Sequence, residues 1–375
     1  LFSSYKKEIL LFFVFYAIII ITLTNSTVYT NSFLPSFFYF RFFLFILIAL
    51  YIFHIYPKIV FILAMSIIFI FVALFIDSFI QFNFKKNIFF QDLQNYTDLS
   101  FITSFFGNEK KLGSFIIRLL PVLISLIYFI NNKFFNDYFI KELIVLISFS
   151  LIVLSSERMA IFNFGIFIFF YFFTFKNKNK IIFIILLSIT TTSLYISFPN
   201  HFNKIYKTTI NQIYEKESTV EIPSLLTRYK YSDKPLYYSR NHQNMLITSY
   251  NIFKENIFFG SGIKTFRVEC KKEKYEIEQR CSTHPHNTYL QLLSETGIFT
   301  FIFISLIFLF LLFENLKILF KKNILSFEKS ILMSNTSILI PLFPFVPSGS
   351  FYNNWISITL CFAFLINIYI KKIYT

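Results

Sequence analysis

Residues 240–297 read RNHQNMLITSYNIFKENIFFGSGIKTFRVECKKEKYEIEQRCSTHPHNTYLQLLSETG and end the one long polar segment of a 375-residue chain. The rest is strongly apolar: 55% of all residues are hydrophobic and 15% are charged, whereas a soluble domain carries about a quarter charged residues. Apolar runs of about 17–25 residues, the length that crosses a bilayer, recur on both sides of this segment. The runs do not alternate with period two, so the sequence predicts an all-α polytopic membrane protein rather than a β-barrel.

Ten apolar runs are predicted to span the membrane. They lie at residues 8–24, 37–53, 58–76, 112–130, 140–155, 159–175, 181–198, 296–313, 330–346 and 354–370. They divide the chain into seven spans in residues 1–198, an outer loop at 199–295 that carries the candidate catalytic motif, and three spans in 296–375. The chain starts at Leu1 rather than Met, but the first run has no small-residue cleavage site, so we expect it to be a true span.

The lysines of the short connections predict the orientation. Residues 25–36 and 347–353 contain no Lys or Arg, whereas the connections on the opposite side carry many lysines. By the positive-inside rule, both termini are cytoplasmic and residues 77–111 and 199–295 face outward, which in a bacterial inner membrane means the periplasm. The net charge of +15 comes largely from these lysines, so we expect membrane lipids as partners and no nucleic acid.

Three arginines are predicted to lie near the outer face. Arg41, Arg118 and Arg158 each come early in a span that runs from outside to inside. Ionisable groups at membrane depth are candidates for function, and the arginine fork suits phosphate oxygens. Two alternatives stay open: each arginine could snorkel to lipid phosphates, and Glu157 could simply neutralise Arg158.

The polar segment itself contains two further arginines. Arg228 lies in a mixed-charge stretch, where a solvated loop residue and a substrate-binding residue are equally good interpretations. From Arg240 to Ile257, apolar residues recur at three- and four-residue spacing, which predicts an amphipathic helix ended by Gly260-Ser261-Gly262. A cation at the N-terminal end of a helix is disfavoured by the helix dipole, so we expect Arg240 to meet an anionic ligand.

The cysteines suggest one crosslink. Cys270 and Cys281 flank a charged excursion on the predicted outer side, where the periplasm is oxidising, so they are a disulfide candidate. Cys361 falls within the last span, where core packing accounts for it.

The segment closes with His284-Pro285-His286-Asn287, followed by Glu295. Asn287 is predicted to cap a helix that starts at the next residue. Histidine is the usual general base near neutral pH, so His286 is the candidate base. His284 is either a second site residue or a scaffold, and Glu295 is expected to orient a neighbour or cap a helix. A metal site built from these side chains is disfavoured, because His-x-His stands without a tight carboxylate cluster.

The run from His284 to Leu290, followed by Glu295-x-Gly297, resembles the signature of the O-antigen ligase and O-antigen polymerase superfamily. The run Phe258 to Phe266 and the turn Ser155-Ser156-Glu157-Arg158 are similar to that family's loop and arginine-bearing turn, so the resemblance covers about residues 140–310. It implies inverting, metal-independent glycosyl transfer from an undecaprenyl-diphosphate-linked glycan, without a cofactor. His286, Arg240 and Arg158 would be its catalytic residues.

Other residues are candidates for substrate binding from their own chemistry and predicted position, namely Arg118, Arg41, Arg228, His284, Asn287 and Glu295. The resemblance leaves two acceptors open: lipid A-core for a ligase, or a second lipid-linked glycan for a polymerase. The chain also departs from the family. Members often have about twelve spans, a difference that a lost N-terminal pair would explain, and the tryptophan common near residues 247–250 is absent.

A lipid-linked sugar transporter or flippase is the rival of a different class. Such a protein shows charges or glycine-broken helices at mid-bilayer, whereas glycine is scarce here and the arginines are predicted at the outer face. The exception is the proline-rich end of the ninth run, with Pro341, Pro344 and Pro347, which predicts a helix broken near its outer end. That break is equally suited to a lipid entrance.

Overall fold

The computed structural model describes residues 5–90, 101–107, 109–130, 132, 138–175, 177–213, 239–277 and 281–374. These residues form helices joined by turns. The helices are α1 (Lys6–Thr22), α2 (Tyr29–Phe37), α3 (Phe40–Ile55), α4 (Lys58–Phe84), α5 (Leu112–Ile130), α6 (Tyr138–Leu154), α7 (Arg158–Phe172), α8 (Asn177–Ser197), α9 (Pro199–Ile213), α10 (Arg240–Glu255), α11 (Phe266–Glu269), α12 (Thr288–Gln291), α13 (Gly297–Leu319), α14 (Ser326–Leu339) and α15 (Asn354–Tyr374). A π-helical turn, Leu292–Thr296, joins α12 to α13. The all-helical class predicted from the sequence is confirmed for the described residues.

Each of the ten predicted runs coincides with a helix, and seven stretches are long and apolar enough to cross a membrane. These are Lys6–Asn25, Tyr29–Ile55, Lys58–Phe84, Leu112–Ile130, Asn179–Ser197, Thr288–Leu319 and Asn354–Tyr374. The remaining three runs form α6, α7 and α14, which have 17, 15 and 14 residues. The protein is therefore a multi-pass membrane protein with seven candidate spans among its described helices.

The ninth predicted span was placed too far along the chain. Its helix, α14, ends at Leu339 rather than at residue 346, and its 14 residues rise only roughly 21 Å at 1.5 Å per residue. Pro341 and Pro344 lack the N–H that a continuing helix needs. The backbone beyond these prolines forms hydrogen bonds outside the helix: the Pro344 carbonyl accepts from Asn287, and the Ser348 N–H donates to the His286 carbonyl.

The third span is longer than predicted. Residues 77–84 were assigned to an outer loop, but α4 continues through them to Phe84. Asp77 and Gln81 are buried in this last part of the helix. The Asp77 carboxylate accepts hydrogen bonds from the Ile88 N–H and the Ser104 hydroxyl, both at 2.6 Å. The following loop thus satisfies these polar groups, and the helix can continue past them.

The chain divides into two compact units. Unit 1 comprises residues 1–47, 208–309 and 342–358, and unit 2 comprises 48–207, 310–341 and 359–375. In unit 2, α14 packs closely on the buried helix α5. The hydroxyls of Ser125 and Ser330 each donate to the other residue's carbonyl, at 2.9 and 2.8 Å. Small polar residues of this kind let membrane helices approach closely.

A buried polar network explains why α14 lies inside unit 2. Asn335 donates to Glu314 at 2.8 Å and to the Asn315 side chain at 2.9 Å. Asn367 donates to the Oδ1 of Asn335 at 2.7 Å, and Lys371 pairs with Glu314. Amide groups facing lipid would be costly, so this network holds α13, α14 and α15 together.

In unit 1, hydrogen bonds join part of the predicted outer loop to the N-terminal part of the chain. The Thr27 N–H donates to the carbonyl of Ser261 at 2.9 Å, and the buried Ser32 hydroxyl donates to the carbonyl of Ile263 at 2.8 Å. The segment 261–263 is thereby fastened to the start of α2. Helix α10 packs against α12 and the π-helical turn.

Candidate functional site

His286 lies in the turn that precedes α12. Its side chain is half-buried and its Nε2 lies 3.2 Å from the hydroxyl of Ser282. The backbone carbonyl of His286 accepts a hydrogen bond from the Ser348 N–H at 2.8 Å. Burial lowers the pKa of His286 below its ordinary value of 6.5, so the imidazole is neutral at pH 7 and able to accept a proton.

His284 contacts the same segment in a different way. Its Nε2 lies 3.3 Å from the carbonyl oxygen of Ser348, and its Nδ1 lies 3.0 Å from the hydroxyl of Thr283. A carbonyl only accepts, so Nε2 carries the proton and Nδ1 accepts from the hydroxyl. Burial, and next the neighbouring His286, lower the pKa of His284 to about 4. With both ring nitrogens engaged, His284 has the contacts of a scaffold.

Asn287 caps the helix that follows, as the sequence predicted. Its Oδ1 accepts from the N–H groups of Tyr289 and Leu290, at 2.9 and 3.1 Å. Its Nδ2 donates to the carbonyl of Pro344 at 2.7 Å. The cap therefore also fastens the turn of His286 to the proline-rich segment that follows α14.

Glu295 is fully buried in the π-helical turn and links three segments. Its carboxylate accepts from the backbone N–H groups of Lys264 and Phe266 and, at 2.8 Å, from the side chain of Gln291. Gln291 in turn donates to the Ser350 hydroxyl at 2.9 Å and accepts from the Phe351 N–H at 2.8 Å. Glu295 thus orients its neighbours, one of the two roles predicted for it.

The glycine run does not end α10, contrary to the prediction. The helix ends at Glu255, and Gly260 instead lies against the backbone of the π-helical turn. A Cβ on Gly260 would come within 2.3 Å of the carbonyl carbon of Glu295, and one on Gly297 within 2.2 Å of the carbonyl oxygen of Phe258. Both glycines have positive φ, 66° and 75°. Glycine is needed at both positions because the backbone of one segment lies directly against the backbone of the other.

Cys270 and Cys281 are joined by a disulfide in the structure, with their Cα atoms 5.4 Å apart. Cys270 is buried in a small apolar core with Ile252, Phe266 and Tyr275. The crosslink therefore fastens α11 to the residue directly before Ser282, the hydrogen-bonding partner of His286.

Helix α10 begins at Arg240, confirming the predicted amphipathic helix. The hydroxyl of Ser239 caps it and also bonds the Nδ1 of His242 at 2.7 Å. The His242 ring packs edge-to-face against the ring of His286, with centroids 5.7 Å apart. The side chain of Arg240 and the whole of Arg228 lie outside the described part of the structure.

Several cations lie in unit 1 outside the histidine motif. Arg41 is exposed and donates from Nη2 to the Oδ1 of Asn354 at 2.6 Å. Lys264 is half-buried with a positive φ of 60°. Burial, and next the positive charge of Arg267, lower the pKa of Lys264, and Arg41 contributes in the same direction, whereas the carboxylate of Glu295 acts against them and raises it.

Arg118 and Arg158 lie in unit 2 and are partly buried. Glu157, which directly precedes Arg158, accepts from the N–H groups of Gly113 and Ser114 at 2.7 and 3.1 Å. This carboxylate occupies the N-terminus of α5, where an anion is favoured by the helix dipole. Glu157 therefore has a structural role of its own, separate from neutralising Arg158.

One comparison with known proteins finds a similarity in the central part of the chain. A family model described as O-antigen ligase matches residues 143–305. This region is similar to O-antigen ligases. No curated protein and no solved structure matches the chain. The predicted resemblance to the O-antigen ligase and polymerase superfamily is confirmed, and it indicates that type of function in general, with a lipid-linked glycan as substrate.

The matched region contains the turn at Arg158, helix α10 and the histidine motif. Sequence reasoning missed four residues that hold this motif: Ser282, Ser348, Gln291 and His242. Gln291 carried a usable signal, because it lies one helical turn after Asn287 and one before Glu295. The serines carried none, since a lone serine in a loop has no periodic pattern. In the described part of the chain, no group of three or more His, Cys, Asp or Glu residues could hold a metal ion.

Proposed function

We propose that this protein is an inverting, metal-independent glycosyltransferase of the O-antigen ligase type. It moves a glycan from an undecaprenyl-diphosphate carrier to a hydroxyl of lipid A-core at the periplasmic face of the inner membrane. One observation carries the proposal: within the region that matches the O-antigen ligase family model, His286 is a half-buried imidazole in a turn held by hydrogen bonds, and burial lowers its pKa.

His286 acts as the general base in this reaction. It takes the proton of the acceptor hydroxyl as that oxygen forms a bond to the anomeric carbon of the glycan. The bond between this carbon and the diphosphate oxygen breaks, and the diphosphate leaves with the electron pair. A positioned base contributes roughly 10²–10⁴-fold to such a step.

The leaving diphosphate needs positive charge, because negative charge develops on it as the bond breaks. Arg240 and Arg158 are the proposed catalytic cations, and Arg118, Arg41 and Arg228 are proposed to bind substrate. The guanidinium fork of arginine pairs with two phosphate oxygens at once, which lysine cannot do. Replacement of each arginine by lysine therefore tests its role more sharply than replacement by alanine.

His284, Asn287 and Glu295 support the same turn in this proposal. Their hydrogen bonds to residues 264–266 and 344–348 keep the backbone of His286 in place. Substitution of any of them is expected to lower activity through the position of His286 rather than through contact with the glycan.

In vivo complementation tests the proposal. Wild-type protein and His286→Ala, at matched expression, would be placed in strains that lack either their own ligase or their own polymerase, and surface polysaccharide would be separated on a gel. We expect wild type to restore long chains on lipid A-core in the ligase-deficient strain and His286→Ala to fail. Rescue confined to the polymerase-deficient strain would mean that the acceptor is a second lipid-linked glycan rather than lipid A-core. Full activity of His286→Ala would contradict the base assignment and reopen the transporter hypothesis.

A further inference from the structure

The third histidine of unit 1, His242, lies in the first turn of α10 and contacts the candidate base. Its ring and the ring of His286 have centroids 5.7 Å apart and an interplanar angle of 68°. This edge-to-face arrangement is the favoured geometry of two aromatic rings. Both side chains are half-buried, and both belong to unit 1.

The orientation of the His242 ring is itself held. The buried hydroxyl of Ser239 lies 2.7 Å from Nδ1 of His242 and, as the helix cap, also accepts from the backbone N–H of the same residue at 3.5 Å. A hydroxyl that accepts the backbone N–H can donate its own proton to Nδ1. The cap of α10 thus holds the ring that packs on His286.

On its other sides, His286 is held by single contacts. Its Nε2 bonds the Ser282 hydroxyl at 3.2 Å, and the ring of His284 lies 4.2 Å away between centroids. His284 is anchored to the carbonyl of Ser348. The imidazole of His286 therefore lies between one ring fixed by α10 and one fixed by the segment after α14.

We infer that His242 is a positioning residue for the base His286. Its ring restricts rotation of the His286 imidazole and keeps a ring nitrogen directed at the acceptor hydroxyl. The inference deepens the proposed function and rests on it. A misplaced base lowers the rate of the chemical step without changing how tightly the lipid-linked glycan binds, since the contact proposed for His242 is with the base.

The kinetic test uses purified full-length protein. The donor is lipid-linked glycan and the acceptor is lipid A-core. Both are extracted from the bacterial strain that naturally makes this protein, after its gene for the protein has been deleted. We expect His242→Ala to lower kcat about tenfold with little change in KM for the donor, and His242→Phe, which keeps a ring, to lose less. His54→Ala, at an exposed position of α3, is the matched control and should behave as wild type. A higher KM at unchanged kcat, or no change in either constant, would overturn the inference.

A second measurement needs no substrate. Diethyl pyrocarbonate acylates neutral imidazole nitrogens, and tandem mass spectrometry of the peptide around residues 282–290 separates His284 from His286. We expect His242→Ala to accelerate acylation of His286 while the rate at His284 stays close to wild type. Equal acceleration at both histidines would mean general loosening of the turn and would contradict a specific contact. If no glycan transfer occurs with wild type, the proposed function fails, whereas the acylation rates still decide whether His242 holds the ring of His286.

Discussion

At the scale of single residues, the backbone of His286 is the most unusual feature of the site. Its φ is 54°, in the left-handed region that residues other than glycine rarely adopt. Such a conformation costs on the order of 1–3 kcal/mol and persists only where neighbours hold it. Here the neighbours are the N–H of Ser348, which bonds the His286 carbonyl, and Asn287, which bonds the Pro344 carbonyl.

The pKa of His286 leads to a pH prediction. The neutral imidazole is the active form, and burial lowers its pKa below 6.5. Activity should therefore persist as the pH falls from 7 through 6.5 and decline only below that, when the folded protein takes up the proton. Initial rates of glycan transfer between pH 5 and 8 would show this limb in kcat/KM. An acid limb centred at or above 6.5 would contradict the assignment.

At the scale of structural elements, two contacts define the region around α12. The loop 258–262 and the π-helical turn touch backbone to backbone at Gly260 and Gly297. The disulfide fastens α11 to the residue before Ser282. The glycine contact joins segments that are distant along the chain, whereas the disulfide joins residues 11 positions apart. Each contact can be tested by a single substitution.

Gly260→Ala and Gly297→Ala should both prevent normal folding of unit 1. An added Cβ would meet backbone atoms at 2.3 and 2.2 Å, which cannot move aside as a flexible side chain can. The amount of protein recovered in the membrane and its thermal midpoint in detergent measure the effect. Gly165→Ala is the matched control, because nothing lies within 4 Å of the added atom in the middle of α7. That control should be neutral or stabilising by up to about 1 kcal/mol. Tolerance of Ala at position 260 would contradict the close approach.

The disulfide should stabilise the turn of the candidate base. Removing it with Cys270→Ala or Cys281→Ala is expected to cost on the order of 2–4 kcal/mol and to lower the thermal midpoint. Reductant should have the same effect on wild type and none on either variant. Cys361→Ala, which removes a cysteine without touching the crosslink, serves as the control. If reductant left the wild-type midpoint unchanged, the crosslink would not be contributing to stability.

At the scale of the whole molecule, the candidate residues divide between the two units. Unit 1 contains His242, His284 and His286 together with Arg41, and unit 2 contains Arg118 and Arg158. In unit 2, polar groups inside the helix bundle hold α5, α13, α14 and α15 in place. In unit 1, the loop contacts hold the histidine motif in place. The region that matches the O-antigen ligase family model, residues 143–305, includes residues of both units.

The orientation in the membrane is a prediction that labelling can test. Glu273 and Lys322 are both exposed, and the lysine asymmetry predicts the first in the periplasm and the second in the cytoplasm. In a Cys361→Ala background, a membrane-impermeant maleimide should label Glu273→Cys in spheroplasts. Lys322→Cys should react only after lysis. Labelling in the opposite order would invert the predicted topology and place the histidine motif in the cytoplasm.

Much of the fold could be predicted because its signals are local. Apolar runs of bilayer length, the spacing of apolar residues from Arg240 onward and the cap at Asn287 are all readable from neighbouring residues. Helix ends were the weak point. The last part of α4 depends on hydrogen bonds from a later loop to Asp77 and Gln81. Beyond the end of α14, the Pro344 carbonyl accepts a hydrogen bond from Asn287, a residue that is distant along the chain.

The sequence by itself determined the helical class of the protein, its membrane character, and the histidine motif by which it resembles O-antigen ligases. Only the tertiary structure decided that His284 is anchored to Ser348, that Glu295 links residues 264–266 to Gln291, and that His242 packs on His286. The physical reason is the range of the interactions. Hydropathy and capping act within a few residues, whereas these contacts join residues up to 64 positions apart. No local pattern specifies which distant partner a polar group will find.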